Sequence, residues 1–85
     1  MREFTYTVQD ELGLHARPAG MLVKKAAGYK SNVQILKGAA AAPAKRLFAV
    51  MGLAVKQGDT VRFTCEGEDE DTACEELRQF CSENF

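Results

Sequence analysis

Between Glu3 and Val8 every second residue is apolar, whereas from Ala16 to Ala27 the apolar residues recur at spacings of three and four. A period of two can bury one face of a strand and nothing else, and a period near 3.6 buries one stripe of a helix, so these two segments must be different elements. Phe4, Tyr6 and Val8 form the strand's inner side, and Ala19, Leu22, Val23 and Ala26 form the helix stripe. Asn32 to Lys37 reads as a second strand with Val33 and Ile35 inward, and Gly38 marks a turn. A weak third strand is expected around Ala40 to Ala44, although the four alanines Ala39 to Ala42 are poor strand formers and poor hairpin chemistry. Lys45 to Leu53 gives a short helix or turn whose apolar members, Leu47, Phe48, Val50 and Met51, exceed what one buried stripe can hide. A fourth strand, Thr60 to Glu66, alternates again through Val61, Phe63 and Cys65. The closing helix carries Ala73, Cys74, Leu77, Phe80 and Cys81 on one side, with Asp69 as its expected cap and a carboxylate run suited to a helix start. The order β-α-β-β-α-β-α describes an α+β fold with helices on one face of an antiparallel sheet, and residues 1–85 are expected to form a single domain.

Several function classes are disfavoured by composition. The formal net charge is −1, which does not suit a nucleic-acid binder, but the charge is unevenly distributed. Met1 to Lys56 holds nine Lys/Arg and three Asp/Glu, a sum of +6, and Gln57 to Phe85 holds two and nine, a sum of −7. Such a chain can present a basic face to an acidic protein partner. No stretch reaches the ~20 apolar residues a membrane span needs, and no secretory pattern opens the chain, so no membrane insertion and a cytoplasmic location are expected. Cys65, Cys74 and Cys81 make no Cys-x-x-Cys pair and read as small apolar fillers rather than a disulfide framework or a metal site. No glycine-rich phosphate loop is present, and no cofactor is expected.

The chemistry concentrates at Gly13-Leu14-His15-Ala16-Arg17-Pro18, which contains the only histidine. His15 falls at the expected N-cap, and Pro18 falls at the third helical position, where a missing N–H removes no intrahelical bond. Gly28 suits the helix stop. Open N–H groups and the helix dipole favour an anion at such an entrance, and they disfavour an imidazolium, which leaves a ring nitrogen free to attack. The amides of Ala16 and Arg17 and the Arg17 guanidinium are candidates for binding a phosphoryl group carried by His15. The same helix exposes Ala16, Gly20, Met21, Lys24 and Ala27, mostly small or apolar side chains. Gly20 costs about 0.5–1 kcal/mol in a helix interior relative to alanine, a hint that something approaches its backbone closely. These residues alone leave open both a phosphohistidine site and an ordinary histidine making one local hydrogen bond at a cap.

The motif Gly13-Leu14-His15-Ala16-Arg17-Pro18-Ala19, with Lys45 to Leu53 and Glu66-Gly67-Glu68-Asp69-Glu70, resembles the HPr phosphocarrier family of the bacterial phosphoenolpyruvate-dependent sugar phosphotransferase system. The resemblance runs over essentially the whole chain. It implies an open-faced β-sandwich in which three helices cover one face of a four-stranded antiparallel sheet. It also implies that enzyme I phosphorylates His15 on Nδ1 and that IIA domains of sugar permeases then receive the group. By the same resemblance Arg17 stabilises the phosphate, and Ala16, Gly20, Met21, Lys24, Leu47, Phe48 and Met51 form a partner-docking face. The implied activity is that of a monomeric phosphoryl carrier rather than a turnover enzyme. Many Gram-positive members carry a regulatory serine where this chain has Arg46, which cannot accept that phosphate. The alanine tract also departs from the family's usual turn sequence. These two departures motivate an alternative, an HPr-like regulatory module that docks a transcription factor or enzyme without relaying phosphate.

Overall fold

The computed structural model describes residues 1–85 and contains β1 (Arg2–Thr7), α1 (Ala16–Ala26), β2 (Asn32–Lys37), β3 (Ala40–Pro43), α2 (Leu47–Met51), β4 (Thr60–Glu66) and α3 (Glu70–Asn84). The strands form one antiparallel sheet in the order β1-β4-β2-β3. This is the β-α-β-β-α-β-α arrangement that the changing periods require.

Alternation along each strand sorts the sheet into a dry face and a wet one. Phe4, Val33, Ile35, Val61, Phe63 and Cys65 point inward and are buried, while Thr5, Asn32, Thr60 and Arg62 are exposed. Register keeps the sorting consistent across strands, because Phe4 lies opposite Phe63 and Ile35 also lies opposite Phe63. The rings of Phe4 and Phe63 stack with centroids 4.9 Å apart. From the helices, Ala19, Leu22 and Ala26 of α1, Val50 of α2, and Ala73, Cys74, Leu77, Phe80 and Cys81 of α3 complete the same core. Val23 packs against it at the edge, only partly buried.

One local expectation is met and two need correction. The alanine tract does form a hairpin: Lys37 pairs with Ala40, which leaves Gly38 and Ala39 as a two-residue turn. Gly38 has φ +58° and Ala39 is not left-handed, the sign pattern of a type II′ turn with glycine first. One glycine in the right place therefore outweighs the weak strand propensity of its neighbours, helped by burial of Ala42 in the core. Gly28 does not close α1 in a left-handed conformation. The helix tightens instead, with Gly28 N–H donating to the Lys25 carbonyl and Tyr29 N–H to that of Ala26.

Asp69 stands at the N-cap of α3, but its side chain does not cap the helix. Its carboxylate accepts from the backbone N–H groups of Lys30 and Ser31 at 2.8 and 2.9 Å and from the Ser31 hydroxyl. Ser31 is the one fully buried polar residue, so its donors require an internal partner. The Ser31 hydroxyl, then the Lys30 N–H, hold the Asp69 carboxyl below the usual carboxylate range. The three cysteines are free and buried, as fillers should be, and burial pushes the Cys65 thiol up to about 11 and the Cys81 thiol to about 12.

Candidate phosphoryl-acceptor site

The loop before α1 is anchored on both sides before it reaches the histidine. Asp10 starts it as a turn, its side chain accepting from Leu12 N–H at 2.8 Å and its carbonyl from Gly13 N–H at 2.9 Å. Gly13 then adopts φ +67°. A Cβ there would lie 2.4 Å from the Val55 carbonyl oxygen and 2.8 Å from Lys56 Cα, so only glycine lets the two backbones approach. Leu14 donates its N–H to that same Val55 carbonyl at 3.0 Å and buries its side chain in the core. These contacts leave His15 little choice of position.

His15 is the N-cap of α1, in extended backbone, and its carbonyl accepts the first intrahelical bond from Ala19 N–H at 2.9 Å. Pro18 is the third helical residue, as its chemistry requires. The ring of His15 is half-buried and makes no hydrogen bond within the chain; in particular it does not cap the helix. Pro18 has no N–H, so the first turn offers just two amides, those of Ala16 and Arg17, and neither is used elsewhere in the chain. Arg17 is exposed and enters no ion pair. His15, Arg17, Pro18 and Met21 line one open depression with Asp10 and Asn84. An unengaged imidazole, two free amide donors and a free guanidinium thus share one solvent-facing hollow, a combination able to hold a tetrahedral anion.

α1 and α2 pack against each other, which brings the second segment beside the first. Phe48 is 85 % exposed and Met21 44 %, with Met51 exposed as well, so much of the apolar excess read from Lys45 to Leu53 does face solvent. Leu47, expected on the docking face, is half-buried and packs on the core. Ala16 and Lys24 are exposed, and Arg46 is the exposed N-cap of α2 without a side-chain cap bond. Arg17, Lys24 and Arg46 enter no ion pair, and the Lys45 ammonium donates to the Tyr29 carbonyl at 2.8 Å, so no carboxylate neutralises these four charges.

A Cβ on Gly20 would meet nothing within 4 Å. The chain itself therefore does not need glycine there. Gly20→Ala is expected to stabilise the fold by about 0.5–1 kcal/mol in chemical denaturation, while weakening any partner that seats its surface on α1. A variant that is less stable than the parent would show that the helix needs this glycine.

Two residues of the hollow, Asp10 and Asn84, carry no signal in the sequence that assigns them to it. Asp10 followed by Gly13 is a legible turn signal, but nothing local shows that the turn faces His15. Asn84 reaches the hollow only because α3 ends there.

The model of the PTS HPr component phosphorylation site family matches residues 2–83. The phosphocarrier protein HPr of Lysinibacillus sphaericus is 45% identical over 83 residues, covering 98% of this chain and 94% of that protein. The crystal structure of HPr-C-His from Thermoanaerobacter tengcongensis is similar with a TM-score of 0.94 and 34% identity, covering 100% of this chain and 96% of that one. Crh, the catabolite repression containing protein of Bacillus subtilis, solved as a swapped dimer, is similar at a TM-score of 0.78 and 34% identity over 99% of this chain and 97% of that one. With its open four-stranded sheet, its three helices and a family match over nearly its whole length, the chain belongs to the HPr phosphocarrier family of the bacterial phosphotransferase system.

Proposed function

We propose that the chain is a single-domain, monomeric cytoplasmic phosphocarrier that accepts a phosphoryl group on His15 from enzyme I and donates it to IIA domains of sugar permeases. The observation that carries this reading is the His15 ring, open to solvent and bonded to nothing in the chain, beside the free amides of Ala16 and Arg17. In the first transfer Nδ1 attacks phosphorus, and the bond to enzyme I breaks as the new P–N bond forms. In the second, a nucleophile of the IIA domain attacks, the P–N bond breaks, and the electron pair returns to the imidazole. Phosphoryl transfer needs positioning and charge stabilisation, which the two amides and the Arg17 guanidinium supply.

The docking partners meet Met21, Phe48 and Met51, rimmed by Lys24 and Arg46. An apolar centre with a basic rim suits acidic partners that bind in turn and leave. No helix is long and apolar enough to cross a membrane.

Mixing the chain with enzyme I and labelled phosphoenolpyruvate should give an acid-labile phosphoprotein, and adding a IIA domain should discharge it. The alternative, a regulatory docking module, draws on Arg46 and on the likeness to Crh. It predicts a protein that binds partners but either takes no label or keeps it when the IIA domain is added, and that outcome would displace the carrier reading.

A further inference from the structure

The hollow that holds His15 also contains a negative charge. Asp10 lines it with His15, Arg17 and Asn84. Its carboxylate is not free to swing away, because one oxygen accepts from Leu12 N–H at 2.8 Å, and the backbone is held by Gly13 N–H on the Asp10 carbonyl and by Asp10 N–H on the Phe85 carbonyl at 2.8 Å. No ion pair neutralises it; the six in the molecule involve other carboxylates, and none joins Asp10 to Arg17. The half-buried Asp10 thus places a fixed anion in a site built to receive another anion.

We propose that Asp10 is a tuning residue for the transfer reaction: its charge opposes the phosphoryl group on His15 and so favours handing that group on. This rests on the reading of His15 as the acceptor. The amides of Ala16 and Arg17, the Arg17 guanidinium and the helix dipole all favour the phosphorylated state, and Asp10 is the one charge in the hollow that opposes it. A like charge close by raises the energy of phosphohistidine more than that of the free imidazole, since the free ring carries no negative charge. The effect favours P–N cleavage whichever nucleophile receives the phosphorus, a IIA domain or water, and the imidazole recovers its electron pair in both cases. Arg17 attracts the group into the hollow and Asp10 limits how long it stays.

Asp10→Asn tests this without unfolding the loop, because the amide oxygen still accepts from Leu12 N–H. Glu11→Gln removes the same charge from the exposed neighbour, which does not line the hollow. Each protein is equilibrated with enzyme I at a series of labelled phosphoenolpyruvate to pyruvate ratios, and the phosphorylated fraction and the half-life of the purified phosphoprotein are measured. Asp10→Asn should shift the equilibrium toward phosphoprotein roughly three- to tenfold, the scale of one charge near a protein surface, and lengthen the half-life in the same direction. Glu11→Gln should match the parent. Equal equilibria and half-lives for Asp10→Asn and the parent, or a shift toward the free protein, would overturn the tuning role while leaving His15 as acceptor. Failure of the parent itself to take label would overturn both.

Discussion

His15→Ala is expected to lose phosphoryl acceptance completely and to lose almost no stability. Removing a capping side chain usually costs about 1 kcal/mol because a helix N–H loses its partner, but the His15 ring caps nothing. Its carbonyl, which accepts from Ala19 N–H, survives the substitution. The ring is only half-buried, so little apolar contact is forfeited. Urea denaturation should therefore place the variant within about 0.5 kcal/mol of the parent, the range of ordinary surface substitutions. Label from phosphoenolpyruvate, with enzyme I present, should fall to background. Acid-labile label that persists in the variant would remove His15 from the mechanism. A large loss of stability would mean that the ring has a packing role which its lack of partners does not suggest.

Two residues earlier, Gly13→Ala should do the reverse and damage the fold first. The substitution places a methyl group 2.4 Å from the Val55 carbonyl oxygen, and backbone cannot turn aside as the tip of a side chain can. It also forces a residue with a Cβ into φ +67°. The left-handed conformation costs about 1–2 kcal/mol and the overpacking a further 1–3 kcal/mol, about 2–5 kcal/mol together. For a chain of this size that lowers the melting temperature by roughly 10 °C or more. Gly38→Ala provides the control, since Gly38 has φ +58° but open space around its missing Cβ. It should show the conformational cost alone. Similar losses in both variants would mean that crowding against Val55 contributes nothing. Below its melting temperature Gly13→Ala should also be phosphorylated more slowly, because Leu14 N–H loses its grip on Val55 and His15 is no longer held in place.

The contrast between these neighbours shows how the site divides its labour. The proposed chemistry rests on a side chain that makes no hydrogen bond inside the molecule, and the geometry rests on a residue with no side chain. Both lie in one six-residue motif.

Much of this is legible in spacing alone. The periods of two and of 3.6 locate the longer strands and helices, because which residues meet water is decided locally along each of them. His15 as N-cap and Pro18 as third helical residue follow from backbone rules of one helical turn. Local rules mislead where a distant residue competes for a nearby group. Asp69 has every property of an N-cap, yet Ser31, buried and far away in sequence, takes its carboxylate. The alanine tract has weak strand propensity when summed over four residues, and the turn that Gly38 marks is enough to pair it with β2.

Element order, the inward faces of sheet and helices, and the place of His15 at its helix entrance were thus all written in the chain, since each depends on spacing within a few residues. Long-range packing alone settled that Asp10 and Asn84 share the hollow with His15, that Val55 needs glycine opposite it, and that α2 sets Phe48 beside α1. Those arrangements join segments far apart in the chain, and no local pattern encodes a meeting that only assembly of the whole core brings about.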